Sequence, residues 1–126
     1  MMSRGLVAVL GMAALGTAMA CGVCIEDKIA ATYDHAVVTR AKAQGRIVVF
    51  AEPRANVEAA TLAQKLSAAA AHARGVDPAS VRTSQAPASL AFALDPKVAS
   101  TTAALNAIKK AAGISRLELV ELRVIR

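Results

Sequence analysis

Aromatic side chains are almost missing from this chain: it has no tryptophan, one tyrosine and two phenylalanines, namely Tyr33, Phe50 and Phe92. Without them there is no platform on which bases could stack. Basic residues outnumber acidic ones by 15 to 9, yet they are scattered, and Lys109-Lys110 is the one adjacent pair. Both features argue against nucleic acid as a partner. The net charge of +6 reads as a solvated surface, with anionic partners or membrane surfaces as its other use. Catalytic signatures are lacking too. There is no G-x-S-x-G elbow, phosphate loop, H-E-x-x-H or paired zinc knuckle, and the reading is of a protein that is not an enzyme. Long apolar runs are equally scarce, because the alanine-rich stretch 59–73 is interrupted by Gln64, Lys65 and His72.

The one clear apolar run stands at the start. Residues 5–16 (GLVAVLGMAALG) follow Arg4 and precede Ala18-Met19-Ala20, the three-part pattern of a cleavable secretory signal over 1–20. That core is shorter than the roughly 20 residues a membrane span needs. The expectation is a periplasmic or secreted chain starting at Cys21, with no stable membrane span after cleavage. Lipidation at Cys21 fits less well, since Ala18 and Met19 stand where lipoprotein signals carry a larger aliphatic and then a small residue.

At 126 residues there is room for one domain, preceded by a segment 21–45 that carries the cysteines. Ile25, Ile29, Tyr33, Val37 and Ala41 recur every fourth position and predict one amphipathic helix over 25–43. Gln44-Gly45 ends it. The period then changes. Residues 46–51 (RIVVFA) are β-branched and aromatic and predict a strand stopped by Glu52-Pro53. Asn56 is the expected cap of a helix over 57–74, with Ala59, Leu62, Ala63, Leu66 and Ala70 inward. A short polar strand at 81–84, a turn at Gln85-Ala86-Pro87 and an apolar strand at 89–94 follow. A helix over 101–112 then stops at Gly113, and a last strand spans 117–125, with a bulge expected near Leu119-Val120.

From residue 46 to 126 the order is therefore β-α-β-β-α-β, the split βαβ arrangement of an α+β ferredoxin-like sandwich with an extra N-terminal helix. The first strand is apolar on both faces: Ile47, Val49 and Ala51 on one, Val48 and Phe50 on the other. A sheet wet on one side would alternate. The helix over 25–43 is the unassigned element that could cover the second face, and a homodimer through that face is the rival explanation.

Cys21 and Cys24 are the only cysteines, spaced C-x-x-C. Two thiolates at that spacing can chelate a soft ion such as copper(I) or zinc(II), or cycle between dithiol and disulfide. A start at Cys21 would add its α-amine as a further ligand. The alternatives are a structural or interaction module for some protein partner, its cysteines clipped as a disulfide, and, third, a thiol redox protein. A thioredoxin-type enzyme places its CxxC after a strand, and none precedes it here. His35 lies eleven residues beyond Cys24, about 16 Å along a straight helix, too far to share its ion. His72 lies off the apolar stripe of its own helix.

The β-α-β-β-α-β order over 46–126 resembles the heavy-metal-associated domains of copper and mercury chaperones. So does the run Ser89-Leu90-Ala91-Phe92-Ala93-Leu94-Asp95-Pro96 leading into a helix that ends Ile108-Lys109-Lys110-Ala111-Ala112-Gly113. The resemblance implies the ferredoxin-like fold and soft-metal binding. Those domains carry CxxC between the first strand and first helix, where this chain has Glu52-Pro53-Arg54-Ala55-Asn56.

Overall fold

The computed structural model describes residues 24–126; the expected signal at 1–20 and Cys21 lie outside them. The element order is α1 (Ile25–Thr32), α2 (His35–Ala43), β1 (Ile47–Arg54), α3 (Ala59–Ala71), a 3-10 turn at Pro78–Ser80, β2 (Arg82–Gln85), β3 (Ala88–Leu94), α4 (Thr101–Ala112) and β4 (Glu118–Ile125). The strands form one antiparallel sheet in the order β2-β3-β1-β4, and the class is α+β.

The most apolar strands, β1 and β3, are central, as strands buried on both faces must be. Val49, Phe50, Ala51, Leu90, Phe92 and Leu94 are fully buried. On the first face Ile47, Val49, Ala51, Leu90, Phe92 and Leu94 meet Leu62, Leu66, Ala69 and Ala70 of α3 and Ala104, Leu105, Ile108 and Ala112 of α4. Alanines supply much of both buried helix faces, and both phenylalanines lie on the central strands. Ser100 caps α4 by accepting from the Ala103 N–H, and Gly113 ends it in the left-handed region at φ 64°. Asn56 does not cap α3. The N-cap is Glu58, without a side-chain bond, and the helix is shorter than expected at both ends, leaving Ala59 exposed.

The second face is covered by the N-terminal segment. Ile29, Val38 and Ala41 pack on Val48, Phe50, Ala91 and Ala93. The single helix expected over 25–43 is instead two, broken at Tyr33-Asp34. Asp34 has an extended backbone, and its carboxylate accepts from the Ala36 and Val37 N–H groups at 2.9 and 3.3 Å. That bond replaces helix continuation with a fresh N-cap. The break turns Tyr33 outward at its edge, 45% exposed, although its ring still stacks on Phe50 at 6.5 Å between centroids.

Polar contacts fix this layer in place. The Ser89 hydroxyl, fully buried on β3, donates to the Lys28 carbonyl at 2.6 Å and meets the Thr32 hydroxyl at 3.1 Å. Lys28 pairs with Glu52 of β1 at 2.9 Å, both side chains largely buried. At the far end Arg82 of β2 reaches Asp34 at 3.1 Å. β4 carries the expected bulge, but further along. Phe50 faces Arg123 and Ala51 faces Glu121, so Leu122 is the extra residue rather than Leu119 or Val120.

Candidate functional site

Cys24 is the N-cap of α1, and its side chain is exposed. Helix N-termini present unpaired N–H groups, and the sequence continues Ile25-Glu26-Asp27, so two carboxylates occupy the first turn. One of them touches the sulfur: the Cys24 thiol donates to Asp27 Oδ2 at 3.3 Å. The other faces away toward the sheet. Glu26 accepts from both Nη atoms of Arg123 on β4, and the hydrogen bond and charge of that guanidinium hold its carboxyl below the usual range.

The structure does not bring either histidine to Cys24 as a third ligand. Among the described residues no group of three or more His, Cys, Asp or Glu side chains could hold a metal ion. His35 opens α2, its Nε2 3.4 Å from the Thr39 hydroxyl, and the ring of His72 bonds the Ala68 carbonyl at 3.0 Å, one turn back on α3. Cys24 alone of the expected site lies in the described region, three positions from Cys21. With Asp27 as its polar neighbour, it can supply one soft ligand and at most one hard one. The remaining shell would come from Cys21, its amine, or a second chain. A thiol at a helix start that is open to solvent can equally pair with Cys21 as a disulfide.

A second feature was not legible from the motifs. Where α1 passes β4 the cover is incomplete, and Glu26, Ile29, Ala30, Tyr33, Arg123 and Ile125 line an open groove of about 380 Å³. Ile25, 49% exposed, continues the same stripe of α1 toward Cys24. The Glu26–Arg123 pair closes one side and the apolar groups form the floor. The only hint in the sequence was a stripe of apolar residues longer than one straight helix can bury. A smaller hollow of about 320 Å³ lies between α3 and α4, lined by Lys65, Ala68, Ala69, His72, Ala111 and Ala112. No described helix is long and apolar enough to cross a membrane.

No protein-family model, no curated protein and no solved structure matches this chain.

Proposed function

We propose that this protein is an exported ferredoxin-like domain whose N-terminal dithiol, Cys21 and Cys24, holds a soft metal ion, copper(I) or zinc(II), at the edge of the fold. The observation that carries this reading is the position of Cys24. It is exposed at the start of a helix clamped to the sheet, so a sulfur ligand is presented to solvent from a fixed base. The sheet order β2-β3-β1-β4 with both long helices on one face supports the ferredoxin-like assignment. In this reading the cysteines lie outside the core, so metal is cargo or ligand and does not hold the fold together. Copper(I) is satisfied by two thiolates, whereas a zinc shell needs four ligands and would recruit the Cys21 amine, Asp27 or a second chain.

The test starts from exported protein whose intact mass places its first residue at Cys21 without lipid. The chain is reduced, and copper(I) or zinc(II) is titrated anaerobically against a competing chelator. One ion per chain or per dimer is expected. Changing both Cys21 and Cys24 to Ser abolishes binding and leaves the circular dichroism unchanged, while His72→Ala has no effect. Equal affinity of the wild type and the double Ser variant refutes the metal reading. A disulfide between Cys21 and Cys24 in protein taken from its native compartment then makes it a clipped interaction module, a reading favoured by the groove beside β4.

A further inference from the structure

We propose that β4 and the groove beside it form the surface through which two copies of this chain join edge to edge, antiparallel, in one continuous eight-stranded sheet. The two edges of the sheet differ. β2 is four residues long and polar, whereas β4 runs for eight residues and, among the described residues, pairs only with β1. An edge of that length offers a row of N–H and C=O groups to another strand. Tyr33, one of four large hydrophobic side chains exposed among the described residues, stands at the end of α1 on this side. The groove that Tyr33 lines has Ile125 of β4 in its wall.

The charges on β4 say which partner fits. Its first half carries Glu118 and Glu121, and its second half Arg123, followed by Arg126. Parallel pairing with a second copy would set like charges side by side. Antiparallel pairing centred on the strand sets each acidic half against a basic half, and only a second copy of this chain is certain to carry that complement.

The bulge decides the register. A bulge ordinarily turns an edge away from pairing. Here Leu122 packs on the second-face cluster and Arg123 reaches Glu26 of α1, so both point to the same side of the sheet. Glu121 stands opposite Ala51 and Val124 opposite Val49, on the first face. With a two-fold axis between Leu122 and Arg123, Glu121 lies opposite Val124 of the second copy, and Val120 opposite Ile125, each pair sharing a face. In a regular strand those pairs would fall on opposite faces; the extra residue brings them into phase. Continuing the alternation past Ile125, Arg126 joins the first face, two positions beyond Val124. That is the diagonal a Glu and an Arg can span. The two grooves then merge into one trough between the α1 helices, where Tyr33 and Ile125 of each copy lose their solvent.

Glu121 is exposed, as is Arg126, and neither enters any ion pair found among the described residues. Their charges can therefore be reversed without disturbing the monomer, which circular dichroism would verify. The experiment is sedimentation equilibrium of the exported chain from micromolar to millimolar concentration. It is run reduced and with a chelator present, so that neither a disulfide nor a metal bridge contributes and the result is independent of the Cys21 and Cys24 reading. A monomer–dimer equilibrium is expected. Glu121→Arg and Arg126→Glu should each raise its dissociation constant about tenfold or more, and the chain carrying both reversals should return to wild-type affinity. A monomer at every concentration overturns the proposal, including one that binds extended peptides instead. So does a dimer that neither single reversal weakens, or a double reversal as weak as the singles.

Discussion

Replacing Ile29 with alanine removes the largest apolar side chain that α1 buries on the second face of the sheet. Ile29 is 6% exposed and packs with Val38 and Ala41 against Val48, Phe50, Ala91 and Ala93. The lost transfer energy and the cavity left behind together cost about 3 kcal/mol for an isoleucine at such a site. The neighbours cannot collapse to refill the space, because Val48 and Phe50 are fixed by β1 and the backbone of α1 is held by the bond from Ser89 to the Lys28 carbonyl. In a domain of this size each kcal/mol lowers the melting temperature by about 4–8 °C, so calorimetry should find a drop of about 12–24 °C. Ile29→Asp, which would bury an unpaired carboxylate, should cost more. Ile25→Ala, one turn earlier at 49% exposure, is the control and should stay within about 0.5 kcal/mol. The reasoning fails if Ile29→Ala moves the melting temperature by no more than the control. In that case the N-terminal helices would rest on the sheet without contributing to its cooperative core.

Two other substitutions probe the polar contacts of the same layer. Ser89→Ala leaves the Lys28 carbonyl and the Thr32 hydroxyl without their buried partner and should cost about 1–3 kcal/mol by chemical denaturation, with faster amide exchange in α1. Glu52 sets part of the acid response. Burial would raise its pKa, but the hydrogen bonds and charges of Lys28 and Arg54 outweigh that and leave it below the usual 4.5. A carboxyl with a lowered folded pKa contributes stability above its unfolded value, and the contribution is lost as pH falls through the folded one. Glu52→Gln should therefore be less stable than wild type at neutral pH and lose less on acidification from about pH 5 to about pH 3. Parallel stability curves for the two proteins over that window would refute the assignment.

Much of this architecture is local and could be read directly. The strand at 46–51 is apolar on both faces whatever surrounds it, so β1 had to be central and its second face had to be covered. The stops at Pro96 and Gly113 act through backbone geometry, whereas β1 runs through the expected stop at Glu52-Pro53 to Arg54, with Pro53 paired opposite Leu119 of β4; the six elements after residue 46 follow in the order the periodicities place them. The candidate cysteines were equally visible, since C-x-x-C is a feature of spacing.

The tertiary structure decided what depends on partners far apart in the chain. Residues recurring every fourth position drift about 40° per step around a helix of 3.6 residues per turn, so the stripe from Ile25 to Ala41 cannot stay on one face of a straight helix. The sequence shows the stripe, but only the packed sheet shows where it must break. Thr32 is drawn to Ser89, 57 positions away, and Asp34 to Arg82, 48 positions away, and between them the helix restarts. The bulge followed the same logic. Its place on β4 is set by which residues β1 offers opposite, with Phe50 taking Arg123 and Ala51 taking Glu121, a register fixed by the pairing of two strands and by neither strand alone. The groove beside β4 exists because two short helices, tied to β1, β2 and β3, leave part of the fourth strand uncovered. Local preference thus determined which elements form, and long-range pairing determined where they bend, what they cover and what they leave open.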